Sequence, residues 1–428
     1  MSAADDTGDA ASGTGRGLSY ILGATVIAGG IGYVIQAVVP AFTEPTQYIA
    51  FSVFWSVVYL VVSALSGIQQ EVTRSAHPRT DLSAPGWTSL ARFAGVAAAA
   101  AVVLVVATSP LWAPRVFVAD AVPLVAALAL AVIGYTLVAA LSGALYGVRN
   151  WPGVATMTVT DAALRLATVA IVLVAGGGVA ALGWAVAAPF TVAFVLVWVV
   201  WGSRVRSGLQ LDATPGRLAR NSVSTVVAAA ATGVMISGLP FLLGLTAGGA
   251  APSLLASLIL VITLTRAPLV IPILALQSYL VVTFRDERER MMRRVLLWGG
   301  GLLVLTAVLA ALAVVVGPWV IELLYADRYA LPAAAYAAIV ASAGLTAVLC
   351  VTGPAALASG RHGVYVAGWL VASSSLVVGL VVPADELPKV LLAITLAPVI
   401  GIIIHLGGLA VPSRNSAARE DSPRSLTD

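Results

Sequence analysis

Long apolar runs without a charged residue dominate this 428-residue chain. Three of them, at 93–111, 122–145 and 295–316, match the roughly 20 residues that a helix needs to cross about 30 Å of hydrocarbon. Hydrophobic residues make up 60% of the chain and charged residues 10%, whereas a soluble domain carries about 25% charged residues. In lipid, only α-helices and closed barrels satisfy the backbone, and these runs are continuous rather than alternating. The sequence therefore predicts an all-α integral membrane protein.

Twelve apolar runs are long enough to be spans. They lie at 18–39, 50–68, 93–111, 122–145, 153–175, 179–201, 222–246, 253–283, 295–316, 332–357, 363–382 and 389–411. The predicted organisation is a cytoplasmic tail at 1–17, an N-terminal lobe at 18–201, a cytoplasmic linker at 202–221, a C-terminal lobe at 222–411 and a second cytoplasmic tail at 412–428. Both tails are polar and lack apolar periodicity, so we expect them to be disordered.

Two short segments recur about half a chain apart. The segment "ALYGVRNWPGVA" at 144–155 matches "ALASGRHGVYVA" at 356–367 with an offset of 212, and Arg149 falls on Arg361. Gln69 falls on Gln277 with an offset of 208. Six spans per repeat make the two repeats parallel, with the transport pathway between them. The sequence thus predicts two six-helix lobes around a central cavity.

Positive charge is concentrated in alternate connections. Eighteen of the 23 Lys and Arg residues fall on the side that both termini share, three fall on the other side, and Arg165 and Arg266 lie within spans. Because positive loops are retained in the cytoplasm, both termini are predicted to be cytoplasmic in a multi-pass protein of the cytoplasmic membrane. The segment "RDERERMMRR" at 285–294 is interpreted as a cytoplasmic loop, with a regulatory or partner site as the alternative.

The sequence lacks the residues that several kinds of chemistry require. A nucleotide-binding P-loop needs a lysine after its glycines, and the only lysine is Lys389 after a proline. Cys350 is alone and the three histidines are scattered, so neither a disulfide nor a metal site is expected. The loops on the outer side reach only about the length of 317–331, which is short for a catalytic region. We therefore expect no catalytic residues, no cofactor, no nucleotide and no nucleic acid.

Three charged residues lie deep inside the predicted spans. Asp161 and Arg165 are four residues apart in span five, so they share a helix face and can neutralise each other. Either they pack the helix within its lobe, or they face the cavity. Arg266 in span eight precedes Pro268 and Pro272 and has no acid within one turn. It either faces the cavity and meets an anion, or extends to the outer headgroups.

Three segments carry a family resemblance. The stretches at 48–74 ("YIAFSVFWSVVYLVVSALSGIQQEVTR"), 161–169 ("DAALRLATV") and 356–370 ("ALASGRHGVYVAGWL") resemble the polysaccharide and lipid-linked oligosaccharide exporters, the Wzx-like branch of the MOP flippase superfamily. That superfamily also contains the MATE multidrug exporters and the lipid II flippases. The resemblance covers almost the whole chain and implies a MATE-like fold with a central cavity that is open to one face at a time.

The resemblance also assigns residues. Asp161 and Arg165 fall where such proteins often carry an acid and an arginine. Glu71 and Arg74 lie at the end of the second helix. The sequence lacks two features of lipid II flippases, namely several cavity arginines and an extra pair of C-terminal helices.

These observations predict a flippase. A polyprenyl-linked saccharide has a pyrophosphate that cannot cross hydrocarbon unaided, and arginine can bind phosphate oxygens in a bidentate way. The predicted function is the movement of a lipid-linked oligosaccharide or polysaccharide precursor across the membrane by alternating access of two lobes. The predicted cavity residues are Asp161, Arg165, Arg266, Gln69 and Gln277, with Glu71 and Arg74 as charges at the inner gate. The expected partners are the lipid substrate and the bilayer, with a polysaccharide polymerase or glycosyltransferases as further candidates.

Two alternatives stay open. A MATE-like, cation-coupled exporter of organic cations would need unpaired carboxylates in the cavity, and Asp161 is the sole acid deep in any span. A membrane partner of polysaccharide glycosyltransferases would depend on the charged loops rather than on the spans.

Overall fold

A computed structural model describes residues 6–81, 86–117, 120–247 and 249–411, and these ranges are almost entirely helical. The α-helices are α1 (Asp6–Phe42), α2 (Pro45–Ser75), α3 (Trp87–Val116), α4 (Ala121–Gly147), α5 (Trp151–Val174), α6 (Val179–Gly208), α7 (Pro215–Ile236), α8 (Leu239–Thr246), α9 (Pro252–Ala275), α10 (Gln277–Asp286), α11 (Met291–Tyr325), α12 (Ala333–Ala358), α13 (His362–Val381) and α14 (Glu386–Ala410). Two short strands are β1 (Ala76–Pro78) and β2 (Leu209–Leu211). Within the described ranges, the helices provide eleven spans, or twelve when the bent pair α7–α8 counts as one. The predicted all-α membrane fold is confirmed.

The two lobes have the same internal arrangement. In the N-terminal lobe, α4 packs against α2, α3 and α6, while α5 packs against α1 and α6. In the C-terminal lobe, α12 packs against α9, α10, α11 and α14, while α13 packs against α7 and α14. The central helices α4 and α12 are the most buried spans of their lobes. Both are rich in Ala, Gly and Ser, which let helix backbones approach closely. The predicted parallel repeat is therefore present in the packing as well.

The turn that follows each central helix shows the register of the repeat. Arg149 after α4 and Gly360 after α12 both have a positive φ, 55° and 72°. In each turn the next residue, Asn150 or Arg361, donates a backbone hydrogen bond to the carbonyl five residues earlier, which is a left-handed helix cap. These turns superpose with an offset of 211, one residue less than the predicted 212. The sequence match aligned Arg149 with Arg361, but the backbone aligns Arg149 with Gly360.

Span seven is broken rather than continuous. The axes of α7 and α8 differ by 72°, and the break falls at Ser237 and Gly238. Pro240 has no backbone N–H to donate and fits the first turn of α8. The Ser56 hydroxyl replaces the missing helix bonds, since it donates to the carbonyl of Ser237 (2.5 Å) and accepts from the N–H of Phe241 (3.1 Å). A side chain from α2 thus satisfies backbone groups that would otherwise be unpaired in lipid.

The pair α7–α8 crosses the membrane alongside α2. Near one end, the Thr225 hydroxyl donates to the carbonyl of Gly67 over 3.0 Å. Near the other end, Gly244 of α8 lies against Val53. A Cβ at Gly67 would lie 2.5 Å from the backbone nitrogen of Val226, so only glycine allows this approach. The pair is therefore one broken span, and its contact with α2 is the main junction between the lobes.

Span eight is interrupted, whereas the charged segment after it is more helical than predicted. The single predicted span is divided at Leu276 into α9 and α10, four residues after Pro272. The segment 285–294 was interpreted as a loop, but it contains the end of α10, a 3-10 turn at Arg288–Arg290 and the start of α11. Arg294 forms an ion pair with Glu287 across that turn, with an N–O distance of 2.5 Å. Ion pairing between these side chains allows α10 and α11 to extend beyond the hydrocarbon layer of the membrane.

The structure differs from the predicted tail at 1–17. Helix α1 begins at Asp6, so the described helix includes residues 6–17. Extending an existing helix needs no new nucleus. Residues 1–5 and the other predicted tail, 412–428, lie outside the described residues.

The connection between the lobes is shorter than the predicted linker at 202–221. Helix α6 continues to Gly208, because Arg204 and Arg206 extend over the rings of Trp201 and Trp198 and keep their charges in water. Strand β2 follows and pairs antiparallel with β1. Because α7 begins at Pro215, the connection that is not helical covers only 209–214.

Candidate functional site

The two ends of the bundle can be named from the chain path. Twelve crossings place both ends of the chain at one end of the bundle, here called the terminal face. The terminal face also carries the connections α2–α3, α4–α5, α6–α7, α10–α11 and α12–α13. The other end is called the opposite face.

A central cavity of about 520 Å³ lies between the lobes. Its lining comes from α1, α2, α4 and α5 of the N-terminal lobe and from α7, α8, α9 and α12 of the C-terminal lobe. Gln69, Tyr146 and Val154 belong to the lining and lie within two turns of the terminal-face ends of their helices. The cavity volume is typical of sites for small molecules. The cavity therefore reaches from the middle of the bundle towards the terminal face.

Arg266 of α9 lines this cavity with an unpaired guanidinium group. Its side chain is 6% exposed. Nη1 donates to the carbonyl of Met235 (3.0 Å), one of the last four carbonyls of α7, whereas Nε and Nη2 have no partner among the described residues. Arg266 lies about 21 Å along α9 from the opposite-face end, in the cavity wall rather than at the headgroups. Both nitrogens are buried at the cavity wall, so an anion would reach these donors only after neighbouring side chains move.

Asp161 and Arg165 also belong to the cavity wall, but their pairing is internal. Arg165 donates to Asp161 (2.6 Å), to the Tyr59 hydroxyl (2.7 Å) and to the carbonyl of Val186 (3.2 Å). Its guanidinium carbon lies 4.2 Å from the centre of the Phe190 ring. Arg165 is 4% exposed while Asp161 is 18% exposed. The arginine therefore joins α5 to α2 and α6, and the aspartate is the member of the pair that faces the cavity.

The two predicted glutamines lie in different environments. Gln69 lines the cavity. Gln277 is the first residue of α10 and is not among the described lining residues. The break at Leu276 interrupts the helix directly before Gln277, so the sequence offset does not translate into an equivalent position. The structure therefore does not bring Gln277 to the described cavity wall.

Glu71 and Arg74 form a junction at the terminal face and do not line the cavity. The Glu71 carboxylate accepts two hydrogen bonds from Arg74, at 2.8 and 2.6 Å, and one from Asn221 of α7 at 2.9 Å. Glu71 is 3% exposed. This contact joins α2 of one lobe to α7 of the other, about one turn from the close approach at Gly67.

Sequence reasoning missed an aromatic group in the cavity, here called the aromatic wall. Its members are Tyr33, Trp55, Tyr59, Tyr135 and Tyr146. All five belong to α1, α2 and α4 of the N-terminal lobe, whereas the described lining of the C-terminal lobe contains no aromatic side chain. Within apolar spans, aromatic residues are expected in cores and at membrane interfaces. Their sequence positions therefore gave no signal of a shared cavity wall.

A second unpredicted feature closes the bundle at the opposite face. Arg328, in the connection between α11 and α12, donates to the carbonyl of Ala41 (3.0 Å) at the end of α1. The hydroxyls of Tyr325 and Tyr329 donate to the carbonyls of Ala37 and Pro40, at 2.8 and 3.3 Å. A cation at a helix C-terminus is favourable because the last carbonyls are unpaired. These bonds join the lobes across the opposite-face end of the cavity.

Comparison with known proteins identifies relatives over nearly the full chain. No protein-family model matches the sequence. The uncharacterized protein Rv1510 of Mycobacterium tuberculosis is 32% identical over 423 residues, which cover 95% of each chain. The uncharacterized protein Rv3630 of the same organism is 31% identical over 388 residues, 89% of this chain and 88% of the relative. The chain belongs to the family that contains these two proteins. It is called the Rv1510 family below.

Solved structures show the fold of the Rv1510 family. A multidrug resistance MATE family transporter of the MOP superfamily in an inward-facing conformation matches with a TM-score of 0.62 and 15% identity, over 94% of this chain and 96% of that chain. A eukaryotic MATE transporter matches with a TM-score of 0.60 and 16% identity, over 95% and 97% of the two chains. The Rv1510-family chain therefore has the MATE/MOP transporter fold that the resemblance implied.

Proposed function

We propose that the Rv1510-family chain is a flippase for a lipid-linked saccharide, which it moves between leaflets by alternating access of its two lobes. The observation that carries the proposal is Arg266. A guanidinium with two unpartnered nitrogens beside a buried cavity is costly unless an anion binds there. The pyrophosphate of a polyprenyl-linked saccharide is such an anion, and arginine suits it because its planar group can bind phosphate oxygens in a bidentate way.

The balance of charge in the cavity supports an anionic substrate over an organic cation. The described lining contains one acid, Asp161, and two bases, Arg165 and Arg266. Arg165 neutralises Asp161 through their 2.6 Å ion pair, so the charge that remains is positive. A cation would be repelled by Arg266 and would find no free carboxylate. The geometry thus favours the flippase over the MATE-like alternative.

The contacts between the lobes support a path for the lipid tail. Helices α2 and α7–α8 pack along the whole thickness of the bundle, whereas α1 and α9 share a smaller contact that includes Gly29 and Ile271. A polyprenyl tail can stay in lipid beside the α1–α9 side while the headgroup occupies the cavity. The cavity extends towards the terminal face, which the positive charge bias predicts to be cytoplasmic. The headgroup would accordingly enter from the cytoplasmic leaflet.

A flippase assay in proteoliposomes tests the proposal. The probe is farnesyl diphospho-N-acetylglucosamine with a fluorescent group on the sugar, and a membrane-impermeant quencher reports which leaflet holds it. We expect the wild-type protein to exchange the probe between leaflets, Arg266→Gln to slow the exchange at least 10-fold, and Arg266→Lys to retain part of it. Arg115→Gln is the matched control, because Arg115 is exposed and does not line the cavity. Equal exchange by wild type and Arg266→Gln would refute the proposed role of Arg266.

A deletion strain separates the proposal from its alternatives. A flippase defect leaves synthesis intact, so a lipid-linked saccharide should accumulate on the cytoplasmic leaflet. A strain that makes no precursor would place the protein in synthesis beside the glycosyltransferases. A strain that becomes sensitive to cationic drugs, with its surface glycans unchanged, would instead support a MATE-like exporter.

A further inference from the structure

The cavity has two walls of different chemistry. The N-terminal lobe supplies the aromatic wall, and the C-terminal lobe supplies Arg266 among aliphatic side chains such as Ile262, Val270 and Ile271. In a uniform channel for one charged group, both walls would resemble each other. This division instead matches a substrate with two chemically different parts.

The central members of the aromatic wall lie at the same depth as Arg266. Tyr59 lies about 21 Å along α2 from the opposite face, Tyr135 about 21 Å along α4, and Arg266 about 21 Å along α9. The rings of Trp55 and Tyr59 stack with centroids 4.7 Å apart. A substrate at this depth therefore has a stacked aromatic surface on one side and, on the other, a guanidinium with two unpartnered nitrogens.

The aromatic wall carries hydroxyls and one neutralised carboxylate as well as rings. Tyr59 and Tyr135 are partly exposed in the cavity, and Asp161 lies in the same wall. A pyranose ring has an apolar C–H face that packs on an aromatic ring, and hydroxyls at its edge that need hydrogen-bond partners. Tyrosine provides both an apolar ring and a polar end, and a carboxylate held by an arginine remains a strong acceptor. These groups are the ones that a sugar requires.

Building on the proposed function, we propose that the aromatic wall is a saccharide-binding subsite that holds the first sugar of the substrate while Arg266 holds its phosphate. Trp55 and Tyr59 form the stacking surface, and Tyr135 and Asp161 bind the sugar hydroxyls. The lobes thus share one substrate, with the sugar on the N-terminal lobe and the phosphate on the C-terminal lobe.

An organic cation is a weaker fit to the same wall. Aromatic rings attract cations, but Arg165 already lies against the rings of Tyr59 and Phe190 and neutralises Asp161. The wall consequently offers no uncompensated negative charge, and Arg266 across the cavity repels a cation. A neutral, hydroxyl-rich group suits the aromatic wall better.

Binding measurements on the purified full-length protein in detergent test the subsite. The probes are farnesyl diphosphate, which has the anion without a sugar, and farnesyl diphospho-N-acetylglucosamine, which has both. We expect the wild-type protein to bind the sugar probe at least 10-fold more tightly than farnesyl diphosphate. Trp55→Leu should reduce that ratio at least 5-fold, and Tyr135→Phe should reduce it about 2- to 10-fold, the effect of one hydrogen bond. Arg266→Gln should weaken both probes and leave the ratio unchanged.

The controls keep the two proposals distinguishable. Trp184→Leu makes the same change at an exposed tryptophan that does not line the cavity, and it should leave the ratio unchanged. If Trp55→Leu fails to fold, Tyr135→Phe tests the subsite alone. Equal binding of the two probes by wild type, or a ratio that neither variant changes, would overturn the saccharide subsite. Loss of the Arg266 dependence, or no binding of either probe, would overturn the proposed function itself.

Discussion

Arg328 of the C-terminal lobe donates a 3.0 Å hydrogen bond to the carbonyl of Ala41 in the N-terminal lobe, although 287 residues separate them in the chain. A second bond of 3.4 Å reaches the carbonyl of Thr43. The guanidinium therefore acts as a cap that one lobe provides for the last helical turn of the other. Every conformation in which the cavity opens to the opposite face has to break this cap.

Arg328→Ala is expected to favour opening at the opposite face, because the carbonyls at the end of α1 can then bind water. A cysteine at Gln36, which lines the cavity about 9 Å along α1 from its opposite-face end, reports the change in a Cys350→Ala background. We expect an impermeant thiol reagent on the opposite-face side to label Gln36→Cys at least 5-fold faster when Arg328→Ala is added. Arg115→Ala is the control on the same face. An unchanged labelling rate would mean that the cap does not limit access.

The close approach of α2 and α7 predicts that Gly67→Ala destabilises the protein. The added Cβ would overlap the backbone of Val226, and backbone cannot move aside cheaply. We expect a loss of about 1–3 kcal/mol, seen as a lower thermal midpoint in detergent. Gly95→Ala is the matched control, because no atom lies within 4 Å of its added Cβ. Similar midpoints for the two variants would contradict the tight junction.

The ion pair of Asp161 and Arg165 predicts a strong asymmetry between single and double variants. Asp161→Ala leaves the guanidinium of Arg165 buried without its partner, which costs about 3–5 kcal/mol for a buried pair. Asp161→Asn combined with Arg165→Gln removes both charges, so it should recover much of the lost thermal stability. Abundance in the membrane and the thermal midpoint measure both effects. A double variant as unstable as the single one would show that the pairing is not what holds this wall.

The same geometry predicts the outcome of exchanging the two charges. In Asp161→Arg with Arg165→Asp, a carboxylate would replace the guanidinium beside the carbonyl of Val186 and the Phe190 ring. Two acceptors would then face each other, so we expect low abundance. A swapped protein that is abundant and active would show that only mutual neutralisation matters.

The pair of His77 and Asp212 at the terminal face predicts that the stability of the protein depends on pH. The Asp212 carboxylate lies 2.6 Å from Nε2 of His77, and this hydrogen bond, with a smaller contribution from the carbonyl of Pro78, raises the pKa of His77 above its usual value near 6.5. Because the folded-state pKa is raised, the stabilisation is fully present below pH 6.5 and is lost as pH rises through the raised pKa. An NMR titration of His77 should give a midpoint above 6.5 that falls in Asp212→Asn. An identical midpoint in both proteins would exclude the pair as the cause.

The assignment of the terminal face to the cytoplasm stays a prediction from charge bias. Cysteines introduced singly into a Cys350→Ala protein test it in whole cells. We expect a reagent confined to the outside to label Ala250→Cys or Asp385→Cys and to spare Arg290→Cys. The reverse pattern would invert the direction of transport proposed here.

The number of spans, the division into two lobes and the positions of the charged residues within the spans could be predicted. Each depends on the high free-energy cost of exposing polar groups to hydrocarbon, which local sequence reveals. Placing an arginine such as Arg266 in hydrocarbon is costly, so it must face protein or a cavity wherever the helix lies. The offset of the repeat was wrong by one residue because short matches in Ala-rich sequence do not fix a turn, whereas the positive φ of Gly360 does. Gln277 lies outside the described cavity wall for a similar reason, because the chain breaks the helix directly before it and the sequence offset does not show this break.

The aromatic wall and the Arg328 cap could not be predicted, because both depend on packing between distant segments. Trp55 and Tyr135 lie on different helices, and nothing in their local sequence distinguishes a cavity-facing ring from a core ring. The sequence indicated the break of span seven only in part. Pro240 indicated an interruption, but the 72° bend depends on the Ser56 hydroxyl of another helix.

The short connection between the lobes sets the geometry of any movement between them. Strand β2 is bonded to β1, and the N–H of Asp212 donates to the carbonyl of Ser75 over 2.9 Å, so only two residues, 213 and 214, remain between the N-terminal lobe and α7. The three Cα–Cα steps from Asp212 to Pro215 span about 10 Å when fully extended. The lobes cannot separate there, and the axis of rotation has to run beside the α2–α7 junction. Displacement grows with distance from that axis, so the widest gap opens at the α1–α9 side, in direct contact with lipid.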